Sequence, residues 1–140
     1  MARKAELSLT GRQRDQDGEE SVTESRMTAD YYEKDGSSYI LYEETQEDSG
    51  DIVRSIIKYN GSTLEMTRRG AVRSRMIFQA GQAHRTDYVT PYGTLPLEVA
   101  TREASFSRKE DGTVIRLEYT LSSGGQFLSH CTMDIVLRFL

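Results

Sequence analysis

The sequence is short of the residues that most often carry chemistry or cross-links. Its 140 residues include no tryptophan, one cysteine, two prolines and two histidines. The lone Cys131 excludes an intramolecular disulfide. Together with His84 and His130 it also falls short of the four soft ligands that a structural zinc site uses. We therefore expect no bound metal, and no motif predicts another cofactor.

Long apolar runs are missing as well. Apolar residues make up 36% of the chain, and no stretch approaches the roughly 20 residues that cross a bilayer. The basic start is not followed by an apolar segment, so we expect no signal peptide, no membrane partner and a cytoplasmic location. The net charge of −4 argues against a sequence-independent nucleic-acid binder, because such proteins need excess Lys and Arg to neutralise phosphates.

What the sequence does contain is alternation. Apolar and polar residues alternate with a period of two between glycine-containing turns, which is typical of an antiparallel meander. A low apolar fraction suits such a sheet, because half of each strand faces solvent. We predict one domain over residues 1–140, with ten strands near 4–14, 22–34, 37–46, 51–60, 62–67, 71–79, 83–90, 94–108, 113–121 and 127–139.

Two Asp-Gly pairs predict tight hairpins. Asp35-Gly36 and Asp111-Gly112 fit type I′ turns, in which both central residues need positive φ. The first of these turns places Tyr32 opposite Tyr39. A third hairpin is predicted at Arg68-Arg69-Gly70, as a three-residue loop with Gly70 left-handed and Met66 opposite Val72.

The eighth strand contains a conflict of phase. Leu97 and Val99 define an inward face of odd-numbered residues, whereas the next turn pairs Phe106 with Leu117 and turns even-numbered residues inward. One regular strand cannot serve both ends. We therefore predict a β-bulge or sharp bend between Thr101 and Glu103.

The last strand is long and its odd-numbered residues, from Phe127 to Phe139, are predicted to share the inner face. A strand of this length is a liability if its edge is left unpaired. Pairing with the first strand, where Ala5, Leu7 and Leu9 alternate inward, would close the sheet. The sequence thus predicts an all-β fold, an antiparallel meander closed into a barrel of about 8–10 strands.

Three segments carry a family resemblance: Phe78-Gln-Ala-Gly, the run from Tyr88 through Thr90-Pro-Tyr-Gly to Thr101, and Leu117-Glu-Tyr-Thr-Leu. In these the chain resembles the YwiB-like family of small uncharacterised bacterial proteins. The resemblance implies a calycin-like, lipocalin-type barrel and brings no catalytic residues with it. The lipocalin hallmark Gly-X-Trp is not met, because Gly11-Arg12-Gln13 has only the glycine.

Hydroxyl groups on the predicted inner face are candidate ligand contacts. Ser74, Tyr119 and Ser129 alternate with core apolar residues, and Tyr88 and Tyr92 flank a turn at the barrel end. Inward hydroxyls can orient a small molecule in an apolar cavity. They can equally bond to one another in a filled barrel, and the same two tyrosines then cap the barrel end, which is the arrangement we expect.

The loop before the seventh strand decides whether Tyr88 belongs to this set. A three-residue loop at 80–82 points Tyr88 inward, whereas a two-residue loop at 80–81 points Arg85 and Asp87 inward instead. The sequence leaves both alternatives open.

The leading functional hypothesis is a non-enzymatic binding protein that holds a small apolar or amphipathic ligand in the barrel. No hydrolase elbow, phosphate loop or metalloprotease motif supports an enzyme; His84 beside Asp87 and Tyr88 is the one weak constellation. An acidic run (Glu43, Glu44, Glu47, Asp48 and Asp51) lacks the order of a calcium loop and is predicted to be a solvated hairpin end.

The alternative hypothesis is an interaction module. Arg69, Arg73 and Arg75 are predicted on the outer face of one hairpin, with Arg68 at its tip, and such a cluster can bind an acidic protein or RNA. We favour the simpler interpretation that these arginines balance the acidic run and keep the hairpin soluble.

Overall fold

A computed structural model describes residues 2–45 and 49–140, and every regular element in these two ranges is a β-strand. All ten predicted strands are present, with bounds close to those predicted. They are β1 Arg3–Asp15, β2 Glu20–Lys34, β3 Ser37–Thr45, β4 Ile52–Tyr59, β5 Thr63–Arg69, β6 Ser74–Gln79, β7 Ala83–Thr90, β8 Gly93–Lys109, β9 Gly112–Ser123 and β10 Gln126–Phe139.

The strands form one antiparallel sheet in the order β6-β5-β4-β3-β2-β1-β10-β9-β8-β7. The predicted pairing of the last strand with the first is confirmed, with Leu7 opposite Leu137 and Leu9 opposite Ile135. The two edges of the sheet are therefore β6 and β7. A single bridge joins them, in which Arg73 and Val89 exchange two N–H···O bonds of 2.9 Å. The result is a nearly closed barrel whose seam lies between β6 and β7.

Side chains that alternate inward along the strands fill the middle of the barrel. The fully buried ones include Leu7, Ile40, Ile57, Leu64, Phe78, Val99, Ile115, Leu117 and Ile135. The end that carries the turn at 35–36 is filled by aromatic rings, with Tyr59 stacked on Phe106 at a centroid distance of 6.0 Å. Polar side chains collect toward the opposite end, which carries the turns at 91–92 and 124–125.

The predicted irregularity in β8 is confirmed. The register against β9 shifts between Thr101 and Glu103. Before the shift Val99 and Thr101 are buried, and after it Ala104 and Phe106 are the inward, half-buried residues. The bulge inserts one residue and so exchanges the faces of the strand.

A second bulge, which was not predicted, lies in β10 between Phe127 and Ser129. It corrects the assignment of Phe127 to the inner face. Phe127 pairs with Ser122, and its ring lies 5.1 Å from the exposed ring of His130. From Ser129 onward the predicted inward alternation holds.

The turn at Asp35-Gly36 is confirmed, with φ of 53° and 81°. The turn predicted at Asp111-Gly112 is wrong, because Lys109 pairs with Gly112 and Phe106 pairs with Ile115, not Leu117. Gly112 is needed for close approach of strands instead. A Cβ there would lie 1.8 Å from the carbonyl oxygen of Leu137.

The loop predicted at Arg68-Arg69-Gly70 is also wrong in register. Arg68 pairs with Ser74, and Met66 lies opposite Met76, not Val72, so the loop between the last paired residues of the hairpin spans residues 69–73. Arg73 is held in that loop by its bridge to Val89. The error is an even number of residues, so Met66 and Ser74 still face inward, but Arg68 joins them instead of forming the tip.

Of the two loops left open before β7, the structure has the three-residue one. The Gln82 N–H donates to the Gln79 carbonyl over 3.0 Å. Tyr88 is consequently half-buried, whereas Arg85 and Asp87 are exposed.

Candidate binding site in the barrel interior

Polar side chains form a continuous row on the inner face of β3 to β6. Tyr42 pairs with Ser55, Ser55 with Arg68, and Arg68 with Ser74. Residues that pair directly across neighbouring strands present their side chains side by side. The row therefore runs around one wall of the barrel at a single level.

A matching row lies on the opposite wall. Thr101 pairs with Tyr119, Tyr119 with Cys131, and Cys131 with Gln13. The Gln13 Nε2 donates to Ser129 Oγ over 3.0 Å, and Ser129 Oγ lies 3.5 Å from Cys131 Sγ. We call the two rows together the inner polar ring, made of Tyr42, Ser55, Arg68, Ser74, Thr101, Tyr119, Cys131 and Gln13.

A cavity of about 460 Å³ opens at the level of this ring. Leu9, Met66 and Met133 form its apolar side, nearest the packed core. Its polar side includes Glu44, Arg68, Tyr88, Tyr119, Cys131, Gln13 and the small hydroxyls Ser21, Thr23 and Ser25 of β2.

Gly11 helps to make room for the cavity. It lines the cavity on β1, and a Cβ built there would meet no heavy atom within 4 Å. It lies in the alternation of Ala5, Leu7 and Leu9, the inward residues of the same strand. A larger residue at this position would project into the space beside Leu9.

The barrel wall has a gap beside the cavity. Pairing between β2 and β3 stops at Asp30 and Leu41. In the described part of the chain, the rest of β2 pairs with β1 alone and the rest of β3 with β4 alone. An outer groove of about 840 Å³ reaches the same gap from outside and is lined by Thr28, Leu41, Tyr42 and Ser55 among others. This outer groove thus lies beside the place where the pairing between β2 and β3 ends.

The predicted site residues divide into two groups. Tyr88 and Tyr119 line the cavity, Ser74 belongs to the inner polar ring, and Ser129 is hydrogen-bonded to it through Gln13. Tyr92, in contrast, is 99% exposed at the tip of the β7–β8 turn. It neither lines the cavity nor caps the barrel end, because Pro91 and Tyr92 project beyond the last paired residues Thr90 and Gly93.

Sequence reasoning missed Arg68, Glu44 and Gly11 as cavity residues, and Tyr42 as a member of the inner polar ring. Glu44 had a usable signal, since it continues the inward alternation of Ile40 and Tyr42 along β3. Arg68 had none, because its position depends on the register of the β5–β6 hairpin. Of the acidic run, Glu47 and Asp48 lie outside the described residues.

Charge and burial distinguish Arg68 and Glu44 from the rest of the surface. Arg68 Nη2 lies 3.9 Å from Glu44 Oε1, and the two side chains are only 31% and 27% exposed. This distance is too long for a hydrogen bond. Within the described ranges, Arg68 Nε and Glu44 Oε1 are both buried without a hydrogen-bond partner, as are Tyr42 Oη and Ser55 Oγ.

Burial keeps the two phenol groups and the thiol of the inner polar ring protonated. It raises the pKa of Tyr42 to about 12, an effect opposed by the positive charge of Arg68. It also raises the pKa of Tyr119. Burial raises the pKa of the Cys131 thiol, although hydrogen bonds from Ser129 and Tyr119 act against the rise. None of these three groups is activated as a nucleophile.

The other candidate clusters are dispersed. His130 is exposed and 3.2 Å from Thr120, whereas its neighbour Cys131 is buried on the opposite face, as predicted. Asp87 is exposed, away from the half-buried His84. The residues that the structure describes contain no group of three or more His, Cys, Asp or Glu placed to hold a metal ion.

The arginines of the β5–β6 hairpin do not act as one cluster. Arg69, Arg73 and Arg75 are exposed. Arg75 Nε is paired with Glu65 at 2.7 Å. Arg68 points inward, and Arg69 lies instead beside Arg54 in the lining of the outer groove.

Comparisons with known proteins place the chain in a family. Residues 7–135 match the family described as "Domain of unknown function (DUF1934)". The chain is 29% identical to the uncharacterized beta-barrel protein YwiB of Bacillus subtilis (strain 168) over 110 residues, which are 79% of this chain and 76% of that protein. The crystal structure of the B. subtilis ywiB protein superposes with a TM-score of 0.87 at 25% identity, covering 99% of this chain and 93% of that one. This chain belongs to the DUF1934 family, a family of uncharacterised β-barrel proteins.

The resemblance found in the sequence is thereby confirmed, and so is the all-β barrel. The calycin-type description, the single-domain assignment and the cytoplasmic location stay predictions. Across the two described ranges, no helix is long and apolar enough to cross a membrane.

Proposed function

We propose that this member of the DUF1934 family is a non-enzymatic binding protein that holds a small amphipathic molecule at the inner polar ring. The cavity of about 460 Å³ is within the size range of roughly 300–1,000 Å³ of small-molecule sites. It also combines an apolar side at Leu9, Met66 and Met133 with a few convergent polar groups. That mixture suits a ligand with an apolar body and a polar head.

The observation that carries the proposal is a pair of buried polar atoms in the cavity lining that have no hydrogen-bond partner among the described residues. Glu44 Oε1 and Arg68 Nε both belong to side chains that line the cavity, on β3 and β5. Most buried polar groups in proteins are hydrogen-bonded, because an unpaired one costs free energy. A molecule in the cavity would supply those bonds.

Binding without turnover is the simpler use of this site. General acids, bases and nucleophiles need pKa values near the working pH. The pKa values of Tyr42, Tyr119 and Cys131 are instead raised by burial, which keeps these groups protonated and unreactive. What they offer a ligand is hydrogen bonding.

The alternative use of an outer arginine cluster to bind an acidic protein or RNA has less support. Arg75 is occupied by Glu65, and Arg68 is not on the outer face. We therefore keep the barrel interior as the proposed site.

Native mass spectrometry of protein purified from its own host tests the proposal, with a variant that fills the cavity. Gly11→Leu places a side chain in the cavity without a clash at Cβ. The matched control is Thr10→Leu, which places the same side chain on the preceding residue of β1, on the outer face. We expect a co-purifying mass on the wild type and on Thr10→Leu, and its loss from Gly11→Leu.

Urea unfolding of all three proteins establishes that each is folded. The proposal is wrong if the wild type carries no adduct, or if folded Gly11→Leu carries the same adduct as the wild type.

A further inference from the structure

The pairing of Arg68 with Glu44 limits the chemistry of the ligand's head group. A guanidinium is always charged in proteins, and it presents several N–H donors in a fixed fork. Among the residues that the structure describes, Arg68 uses that fork only for the long 3.9 Å contact with Glu44. A donor (Nε–H) and an acceptor (Glu44 Oε1) therefore stand side by side, both buried and both unpartnered within the described residues.

A ligand with a net charge would fit this pair badly. An anionic head would bind Arg68 but would lie close to the carboxylate of Glu44, and a cationic head would meet the reverse repulsion. Charges on partly buried side chains act on each other more strongly than charges in bulk water. Arg12 also borders the cavity, but it is exposed, so solvent and salt screen its charge.

We infer that the ligand presents an uncharged amide-type group to this pair, its carbonyl oxygen accepting from Arg68 and its N–H donating to Glu44. This inference rests on the proposed function. Such a group satisfies both orphaned atoms at once, through hydrogen bonds strengthened by the charge of the protein partner. The protein thus selects a neutral polar head.

The position of the apolar side fixes where the rest of the ligand lies. Met66 precedes Arg68 by two residues on the same face of β5, so it lies one step deeper in the barrel. Leu9 and Met133 border the cavity at the same side. A short alkyl chain attached to the amide would extend from Arg68 over Met66 toward the packed core.

Three probes with one tail and different heads test the inference: octanamide, octanoate and octylamine. Isothermal titration calorimetry at neutral pH gives their dissociation constants. We expect octanamide to bind the wild type at least about tenfold more tightly than either charged probe. Each charged probe loses one hydrogen bond to a charged partner, and such a loss weakens binding by about this factor. Gly11→Leu should abolish the binding.

Two substitutions should change the preference in opposite directions. Glu44→Gln removes the repulsion of anions and should make octanoate the tightest probe. Arg68→Gln leaves the carboxylate alone and should favour octylamine. The matched controls are Glu43→Gln and Arg69→Gln, exposed neighbours on the same strands, which should keep the preference of the wild type.

Each outcome decides something. Equal or tighter binding of a charged probe by the wild type, or an unchanged preference in folded Glu44→Gln and Arg68→Gln, overturns the amide inference. If the charged probe binds the wild type but no longer binds Gly11→Leu, the proposed binding function stands and only the amide inference fails. Failure of all three probes to bind counts against the inference, and the native mass measurement then decides the proposed function separately.

Discussion

Two strand glycines should respond in opposite directions to the same substitution. Gly11 and Gly112 both lie in strands, and neither has positive φ. An alanine Cβ at Gly11 meets nothing within 4 Å, whereas at Gly112 it would lie 1.8 Å from the Leu137 carbonyl oxygen and 3.1 Å from Arg138 Cα. The difference therefore comes from packing and not from backbone conformation.

The expected magnitudes follow from this geometry. Gly11→Ala removes the extra conformational entropy of glycine from the unfolded chain and should stabilise the fold by about 0.5–1 kcal/mol. Gly112→Ala must push β9 away from Leu137 of β10. The strand β10 cannot yield easily, because β1 holds it on its other side. Overpacking of this kind costs about 1–3 kcal/mol, and the value here should lie at the upper end because backbone, not a side chain, must move.

Equilibrium unfolding in urea measures both changes. With an m-value of about 2 kcal/mol/M, the midpoints of the two variants should differ by about 1.5–2 M, with the wild type between them. The reasoning is refuted if Gly112→Ala unfolds within about 0.3 M of the wild type, or if Gly11→Ala loses more stability than Gly112→Ala.

The remaining predictions concern single side chains. Burial raises the pKa of Tyr42 to about 12 from 10.0, so its contribution to the free energy of unfolding should be fully present below pH 10. This contribution should fall by on the order of 2 kcal/mol as the pH rises to 12. Urea midpoints across this range should fall less in Tyr42→Phe than in the wild type, and an equal fall in both proteins would contradict the assignment. The Cys131 thiol is buried and its pKa is raised, so it should react with Ellman's reagent at pH 8 only when urea unfolds the chain; fast reaction in the folded protein would contradict the burial of the thiol. Tyr92→Ala removes a ring that is 99% exposed and should change the free energy of unfolding by less than about 0.5 kcal/mol; a larger loss in thermal or urea unfolding would mean that the ring caps the barrel after all.

The direction of each side chain was largely available from the sequence. Alternation with a period of two depends only on local backbone geometry, so Leu7, Ile40, Leu117 and Ile135 could be assigned to the inner face without knowing their partners. The bulge in β8 was predictable for the same reason, since two incompatible phases occur within one strand. The predicted partner of Phe106, Leu117, and the observed partner, Ile115, differ by two residues, so the predicted face of Phe106 was still correct.

Register, edges and the binding site were decided by the tertiary structure. Gly112 meets the Leu137 carbonyl, and Arg73 pairs with Val89, across long separations in the chain, so no local pattern could place these contacts. The β5–β6 register, in which Arg68 pairs with Ser74, places Arg68 inward, toward Glu44. The sequence by itself therefore determined an all-β barrel and its inner face. Only the assembled sheet determined where the wall opens and which charges meet inside, because both depend on backbone contacts between distant strands.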